Sequence, residues 1–395
     1  MEKSDQYSKF PWLDWFRFLA AFVVVLAHAR NLDFVKYADL GEGHGSLFAI
    51  AFYTLTKLGN EAVLIFFVLS GFLVGGVALK RMSNGTFNLR DYAIDRFTRI
   101  MLPLVPALFL AEGVEYFLFG QNNWFLVIGN LVSLQGILVP YLPENAAMWT
   151  LSYEIWFYVL VGAVGLCFKN RYAGIALFFA ASAMFLELFP HYLICWLIGA
   201  AAFLFRPKKS YKLIIFALVI CAYGCLGRQA GRGSESVEIS LLDAVLPSEE
   251  TSRVIFSVGF ALLVQQLILM RPKALARVDK IGSALGMFSY TLYLVHFPVI
   301  RFFQFYFGVA WMKDLNFHSI MIFSGVVVSC LAVALVMYML FERHTAKVRV
   351  WMKELFRNMY PEKEKVIPSR SFSLFSFPKL DVSKRGEYSA DVSPE

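Results

Sequence analysis

The first apolar segment of the chain carries three ionisable residues whose spacing places them on one helical face. Arg17 and His28 are eleven positions apart, and Asp14 precedes Arg17 by three. On an α-helix, this returns Arg17 and His28 to within roughly 20° of each other, about 16 Å apart along the axis. Asp14 is close enough to pair with Arg17. Histidine is a natural base for removing a hydroxyl proton near neutral pH, so the stripe is a candidate catalytic element.

Two further apolar segments carry ionisable residues at a depth comparable to that of His28. Glu154 lies near the outer end of one segment and His296 lies in the outer half of another. Because ionisable groups inside a bilayer are costly and default to functional roles, we predict that the three residues converge on one polar site. The alternatives are a structural hydrogen-bond network between helices and, for Arg17 and His28, contact with the lipid headgroups.

A pair of arginines precedes the third apolar segment. Arg96 and Arg99 are three residues apart and therefore share a helical face. Guanidinium groups bind phosphate in a bidentate manner, so the pair is a candidate phosphate site. The alternative is the general excess of basic residues on the cytoplasmic side of membrane proteins.

Ser70 and Gly71 form a small pair inside an aromatic segment. Small residues allow two helices to approach closely, and this is the interpretation that we favour. The alternative is that the pair makes room for a chain-like ligand.

The composition is that of a membrane protein. Of 395 residues, 58% are hydrophobic and 17% are charged, whereas soluble proteins have about 45–50% and about 25%. One soluble core of this size could not bury so much apolar surface. The five cysteines lack the paired spacing of metal ligands, which predicts buried free thiols and no metal site. We predict an all-α fold, a polytopic membrane helix bundle.

Ten segments are apolar for about the length that a bilayer core requires, roughly 20 residues. They are 11–29, 61–79, 100–119, 148–168, 172–189, 191–205, 211–227, 254–270, 283–303 and 319–341. The segment 124–139 is also apolar but contains Asn130 and Gln135, so we predict a re-entrant or interfacial segment. An eleventh span is the alternative there.

The basic residues predict the orientation of the spans. With the N-terminus inside, 28 of the 37 Lys and Arg residues fall in cytoplasmic segments. This bias predicts that both termini are cytoplasmic. The net charge of +8 then faces anionic lipid rather than nucleic acid.

Three regions follow from these patterns. Residues 1–345 are predicted to form the transmembrane domain. Residues 346–360 carry basic and apolar residues at helical spacing, which predicts an interfacial amphipathic helix. Residues 361–395 are rich in Ser, Pro and Lys, which predicts a disordered cytoplasmic tail.

The motifs together resemble the acyltransferase-3 family of integral-membrane O-acyltransferases, which modify bacterial surface and secreted carbohydrates. The resemblance covers roughly residues 11–345 and rests on six blocks in the family's order. These are Arg17 to His28 as R-x10-H, Gly59 to Leu73 around FFVLSGF, Arg96 with Arg99 as R-x-x-R, Trp149 to Tyr158, Ser289 to Pro298, and Phe341 with Glu342. The ordered set is more specific than any single block.

The resemblance implies an O-acyltransferase that moves an acyl group, acetyl or another short acyl, from cytoplasmic acyl-coenzyme A to a carbohydrate hydroxyl. The acceptor would be extracytoplasmic or membrane-associated. His28 would be the base, Glu154 would orient it, and Arg17 would stabilise oxyanion charge. Arg96 and Arg99 would bind the donor. The other expected site-lining residues are Asp14, Asn60, Ser70, Ser152, Tyr153, Tyr293 and His296.

The expected partners are acyl-coenzyme A as co-substrate, a carbohydrate or glycolipid acceptor, and membrane lipids. No other cofactor, no metal and no nucleic acid is expected, and the expected location is the bacterial cytoplasmic (inner) membrane. Two other classes remain open at this point. A secondary transporter or exporter would hold a polar or glycolipid substrate near the midplane on broken helices, and a membrane scaffold would tolerate substitution of the polar stripe.

Overall fold

The apolar segments of the chain form α-helices, which satisfy their own backbone hydrogen bonds. The computed structural model describes residues 11–41, 45–205, 207–231, 246–270 and 279–360. In this part of the chain the α-helices are α1 (Pro11–Asp33), α2 (Leu47–Thr56), α3 (Gly59–Ser70), α4 (Val77–Ser83), α5 (Leu89–Phe119), α6 (Trp124–Leu131), α7 (Trp149–Cys167), α8 (Arg171–Ala183), α9 (Pro190–Leu204), α10 (Tyr211–Gly231), α11 (Glu249–Met270), α12 (Asp279–Met287), α13 (Ser289–Tyr306), α14 (Phe317–Leu340) and α15 (Thr345–Met359). Short 3-10 helices occupy Tyr37–Asp39, Pro143–Met148, Met184–Leu186 and Glu342–His344, and a π-helical turn occupies Gly71–Gly76. The predicted all-α class is confirmed for the described residues, whose only β-pairing is two isolated bridges.

Asparagine side chains set the starts of four helices. Asn88, Asn123, Asn170 and Asn316 each accept a hydrogen bond from the backbone N–H three residues further on. Such a cap satisfies one of the backbone donors that a helix start leaves unpaired. The cap at Asn88 therefore fixes the beginning of α5, the helix that carries the two predicted donor-binding arginines.

Helix α1 lies in the middle of the bundle. It packs against α3, α12, α13 and α14. Helix α13 in turn packs against α5 and α14, while α3 and the π-helical turn pack against α9. Helices α10 and α11 pair with each other, and α11 contacts α9 and α3. Helix α13 therefore joins α1, which carries Arg17 and His28, to α5, which carries Arg96 and Arg99.

Two glycines allow α3 and α9 to approach within backbone contact. A Cβ atom at Gly71 would lie 1.9 Å from the carbonyl oxygen of Trp196, and a Cβ at Gly199 would lie 2.1 Å from that of Val68. No side chain fits at either position, so any substitution would push the helices apart. The close-packing interpretation of Gly71 is confirmed.

The number of spans differs from the predicted ten. Six helical stretches of the described residues are long and apolar enough to cross a membrane, and the bent pair α12–α13 would be a seventh. The predicted fifth and sixth spans are the shorter helices Arg171–Leu186 and Pro190–Leu204. Helix α1 is not among the six, and it carries charged residues near both ends. The membrane character is thus supported, but ten spans are not confirmed.

Two predicted spans have different shapes in the structure. The span predicted at 61–79 is part of one longer helical stretch, Leu47–Ser83. This stretch begins with α2, which was not predicted from the sequence. The span predicted at 283–303 bends by 51° between α12 and α13. At the bend, the Ser289 hydroxyl donates to the carbonyl oxygen of Gly286 at 2.8 Å, and Gly286 packs directly against Asp14 of α1.

Two predicted non-spanning segments are partly described. Within 124–139 only the eight residues of α6 are helical, a length of about 12 Å that is too short to cross a bilayer. The segment predicted as an interfacial helix, 346–360, coincides with α15, although its contact with lipid stays a prediction. Residues 361–395, predicted to be a disordered tail, lie outside the described residues.

Candidate active site

A cavity of about 760 Å³ opens at the end of the bundle where α1 begins. We call it the basic mouth, because its lining combines many cations with few carboxylates. The basic residues are Arg17, Lys80, Arg81, Arg96, Arg99, Arg343 and Arg349, and the acidic ones are Asp14, Asp95 and Glu342. The mouth lies between α1, α4, α5 and the start of α15. Its charge and size suit a polyanionic ligand.

A smaller cavity of about 120 Å³ lies deeper in the bundle. We call it the chamber. Arg17, Arg96 and Arg99 line both cavities and so form the boundary between them. The remaining chamber walls are largely apolar and aromatic, and their polar members are Ser70, Thr150, Glu154, Tyr158, Ser289, Tyr290 and Tyr293. A ligand that enters through the mouth therefore passes three arginines before it reaches the chamber.

The predicted ion pair in α1 is present at this boundary. Arg17 Nη1 lies 2.9 Å from Asp14 Oδ1, and the side chains are 34% and 29% exposed. The two residues are one helical turn apart, so the pair forms without help from another helix. Asp14 holds the guanidinium at the entrance of the chamber, where its remaining N–H groups can bind a ligand.

Arg99 forms an ion pair with Glu342, a buried glutamate just after α14. Its Nη1 lies 2.5 Å from Glu342 Oε1, and the Glu342 side chain is 2% exposed. The second oxygen of Glu342 accepts hydrogen bonds from the Thr291 hydroxyl at 2.5 Å and the Thr291 backbone N–H at 3.2 Å. Glu342 thus ties α5 to α13. Arg99 is positioned by this contact rather than being a loose surface cation.

Arg96 lines the chamber and packs against the aromatic ring of Tyr158. Its guanidinium lies over the Tyr158 ring at 5.5 Å, a cation–π contact. The Tyr158 hydroxyl donates a short hydrogen bond to Glu154 and lies 3.2 Å from the Ser70 hydroxyl. The predicted residues Ser70 and Glu154 therefore belong to one polar wall of the chamber.

The two predicted histidines are in contact. The rings of His28 and His296 have centroids 5.3 Å apart, and His28 also lies against Phe297. His296 is fully buried, and its Nδ1 donates to the carbonyl oxygen of Tyr293 at 2.7 Å. Its Nε2 is buried without a hydrogen-bond partner among the described residues. The pair of imidazoles is therefore oriented from the α13 side, with one nitrogen lone pair available.

Tyr293 links the histidines to the chamber. Its ring lies 5.7 Å from that of His296, and Tyr293 itself lines the chamber. The Tyr293 hydroxyl bonds to the carbonyl oxygen of Ala147 and to the Thr150 hydroxyl, which fixes the ring. His28 itself lines neither the mouth nor the chamber, and it is connected to the chamber wall through His296 and Tyr293.

The predicted contact between Glu154 and His28 is not found. Among the described residues, Glu154 hydrogen-bonds only to Tyr158, which lies four residues away on the same helix. The carboxylate faces the arginine side of the chamber rather than the histidine pair. Glu154 is therefore not positioned to orient His28, and that part of the sequence-based assignment is corrected.

Three other predicted site residues line neither cavity. The Ser152 hydroxyl donates to the carbonyl oxygen of Gln135 at 2.6 Å, and the Tyr153 hydroxyl accepts from the Phe189 N–H at 3.1 Å. The first contact holds a segment before α7, and the second holds the start of α9. Asn60 is likewise absent from the lining of the mouth and the chamber.

Several residues of the site were not predicted from the sequence. Glu342 was noted only as the end of the last predicted span, although a carboxylate following a long apolar run is a recognisable signal. Tyr290 also lines the chamber, and the Arg99 guanidinium lies over its ring at 5.2 Å. The buried Tyr290 hydroxyl has no hydrogen-bond partner among the described residues. No signal in the sequence identified Arg81, Arg343 or Arg349 as cavity residues.

Comparison with known proteins gives a consistent assignment. A family model described as an acyltransferase domain, acyltransferase-3, matches residues 10–339. The chain is 27% identical over 336 residues to acyltransferase MdmB of Streptomyces mycarofaciens, covering 74% of this chain and 80% of that protein. No solved structure matches the chain.

Proposed function

The chain belongs to the acyltransferase-3 family, and from that premise we propose that it is a membrane O-acyltransferase that uses acyl-coenzyme A. The acyl group, acetyl or another short acyl, is transferred to a hydroxyl of an extracytoplasmic or membrane-associated carbohydrate. The family match makes the chain an acyltransferase rather than a transporter or a scaffold. One observation above all supports the choice of donor: a basic mouth that leads past three arginines into a small chamber.

The shape of the two cavities suits the two ends of this donor. Coenzyme A carries its phosphates at one end and the thioester at the other. The cationic mouth attracts the phosphates, and charge-assisted hydrogen bonds to arginine are among the stronger polar contacts. The narrower chamber, with apolar and aromatic walls, accepts the acyl end. Arg96 and Arg99 at the boundary then contact the donor between these ends.

The chemistry follows from the groups around the chamber. His28 lies behind the part of the chamber wall that Tyr293 forms. When the acceptor reaches His28 and the thioester reaches this wall, His28 takes the proton of the acceptor hydroxyl, and the hydroxyl oxygen attacks the thioester carbonyl carbon. A carbon–oxygen bond forms, the carbon–sulfur bond breaks, and the coenzyme A thiolate leaves and receives the proton. Arg17 and the unpartnered Tyr290 hydroxyl are the groups that would stabilise negative charge on the carbonyl oxygen. Glu154 acts in this scheme through Tyr158, as part of the chamber wall.

The function is tested by mass spectrometry of surface and secreted glycans from cells with and without the protein. We expect a mass difference of one acyl group on a hydroxyl in cells that have it. Expression of the intact protein restores this mass in the deletion strain. Identical glycan masses in the two strains, together with identical lipid-linked sugars, would contradict the proposed carbohydrate acceptor.

We further propose that the mouth faces the cytoplasm of a bacterium and that both termini lie on the same side, in its inner membrane. Support comes from the bias of basic residues towards the segments that surround the mouth. A reporter that is active only in the cytoplasm, fused after Glu395, should be active. Activity of the complementary extracytoplasmic reporter at that position would reverse the orientation of the donor site.

A further inference from the structure

Helix α15 begins after the last residue that the family model matches. It folds back along the start of α5 and is fixed there by polar contacts. Lys353 Nζ lies 2.7 Å from Asp95 Oδ1, and Arg90 Nη1 donates to the carbonyl oxygens of Tyr360 at 3.0 Å and Phe356 at 3.4 Å. The last two contacts satisfy carbonyl groups at the end of α15. This helix is therefore a fixed part of the wall rather than a loose extension.

Helix α15 and the turn before it add two arginines to the basic mouth. Arg343 and Arg349 line the cavity on this side, and Arg81 lines it from α4 on another side. We call these three residues the outer arginines. They lie on α4, on the turn before α15 and on α15, and these elements contribute no residue to the chamber. The mouth thus has a second set of cations, distinct from those at the boundary.

The carboxylates of the mouth are already engaged. Asp14 pairs with Arg17, Glu342 with Arg99, and Asp95 with Lys353.

The positive charges of the outer arginines are only weakly balanced by nearby carboxylates. Arg349 Nε lies 4.0 Å from Asp95 Oδ1, at the limit of an ion pair, and its side chain is 42% exposed. In the part of the chain that the structure describes, no carboxylate pairs with Arg81 or Arg343. Their charge is available to an anionic ligand in the cavity.

We propose that the outer arginines bind the phosphate groups at the nucleotide end of the donor. This rests on the proposed function and assigns a separate subsite to that end. Arginine presents a planar fork that matches phosphate geometry. Because α4 and α15 contribute from different sides, a ligand with more than one phosphate can bridge them. The mouth, at about 760 Å³, lies in the usual size range of ligand sites, roughly 300–1,000 Å³.

The test uses R343Q/R349Q in the purified full-length protein, with R357Q as the matched control. Arg357 lies on the same helix, is exposed and lines neither cavity. Two quantities are measured: the KM for acyl-coenzyme A, and the inhibition constant of adenosine 3′,5′-bisphosphate, which represents the nucleotide end alone. Both should rise about tenfold or more in the double variant, with kcat nearly unchanged, since charge-assisted contacts are lost outside the reaction centre. The control should match the wild type.

Other results would overturn the proposal. A lower kcat with an unchanged inhibition constant would show that α15 has a structural role only. An anionic lipid headgroup could supply the same phosphate chemistry, so the measurement is repeated in phosphatidylcholine vesicles with and without phosphatidylglycerol. A defect confined to the phosphatidylglycerol vesicles would assign the outer arginines to lipid and not to the donor. If the wild type itself does not consume acyl-coenzyme A, the proposed function fails along with this subsite.

Discussion

Replacing His28 with glutamine should lower the rate of acyl transfer about 10²–10⁴-fold, because this is the usual contribution of a general base. Glutamine keeps hydrogen bonding but cannot accept a proton near neutral pH. His28→Ala should be similarly inactive. Both variants should fold, because His28 is only half-buried and the helix satisfies its own backbone. Acyl transfer and membrane abundance are measured for each variant.

If His28 has only a structural role, the effects of the two substitutions should be reversed. Glutamine would then preserve activity, while alanine would lower abundance. The matched control is His318→Gln at the start of α14, where the side chain is exposed. An active His28→Gln protein at normal abundance would defeat the catalytic assignment.

Of the ion-pair variants considered, Glu61→Ala should cause the largest loss in the free energy of unfolding. Glu61 Oε1 lies 3.0 Å from Arg228 Nε, and the two side chains are 4% and 1% exposed. Gln229 also donates to Glu61 at 3.2 Å, so α3 is tied to α10. Glu61→Ala removes a buried carboxylate that pairs with the buried Arg228 guanidinium, at a cost of about 3–5 kcal/mol in the free energy of unfolding. Denaturant unfolding in mixed micelles measures this.

Two further variants separate lost charge compensation from lost packing. Glu249→Ala removes the partner of Arg253 in a pair whose glutamate is 34% exposed, so its cost should be about 1 kcal/mol or less. The double variant E61L/R228L removes both buried charges and should recover most of the stability lost in Glu61→Ala. A double variant that is less stable than Glu61→Ala would show that the pair stabilises the bundle in its own right.

Local spacing predicted the part of the site that one helix forms. The pair Asp14 and Arg17 depends only on the rise and twist of α1, and these are the same in every α-helix. The contact between His28 and His296, two of the three residues predicted to converge, is also present. It required only that α1 and α13 be neighbours, since the two residues were placed at similar depths.

The error at Glu154 has a geometric origin. Sequence position fixed its depth along α7, but not the direction in which that helix turns its face. In the structure the carboxylate faces Tyr158 and the arginine side. Helix rotation is set by packing against distant helices, which a single sequence does not state.

Long-range contacts account for the residues that the sequence analysis missed. Glu342 and Arg99 are 243 positions apart, and nothing in either local sequence identifies the other as a partner. The same applies to the outer arginines, which meet the mouth only because α15 folds back onto α5. The ten predicted spans were not confirmed for a different reason. Short apolar helices such as α8 and α9 have the composition of a span without its full length.

Labelled acyl transfer in oriented membrane vesicles tests the central claim most directly. Acyl-coenzyme A with an isotope-labelled acyl group is added to inverted vesicles, in which the cytoplasmic face is outside, and to right-side-out vesicles. Acyl-coenzyme A is too polar to cross the membrane, so only vesicles whose basic mouth faces the outer solution can use it. We predict labelled carbohydrate in the inverted vesicles alone, and none when the vesicles contain the His28→Gln protein. Label that appears only in right-side-out vesicles, or equally with His28→Gln, would contradict the account.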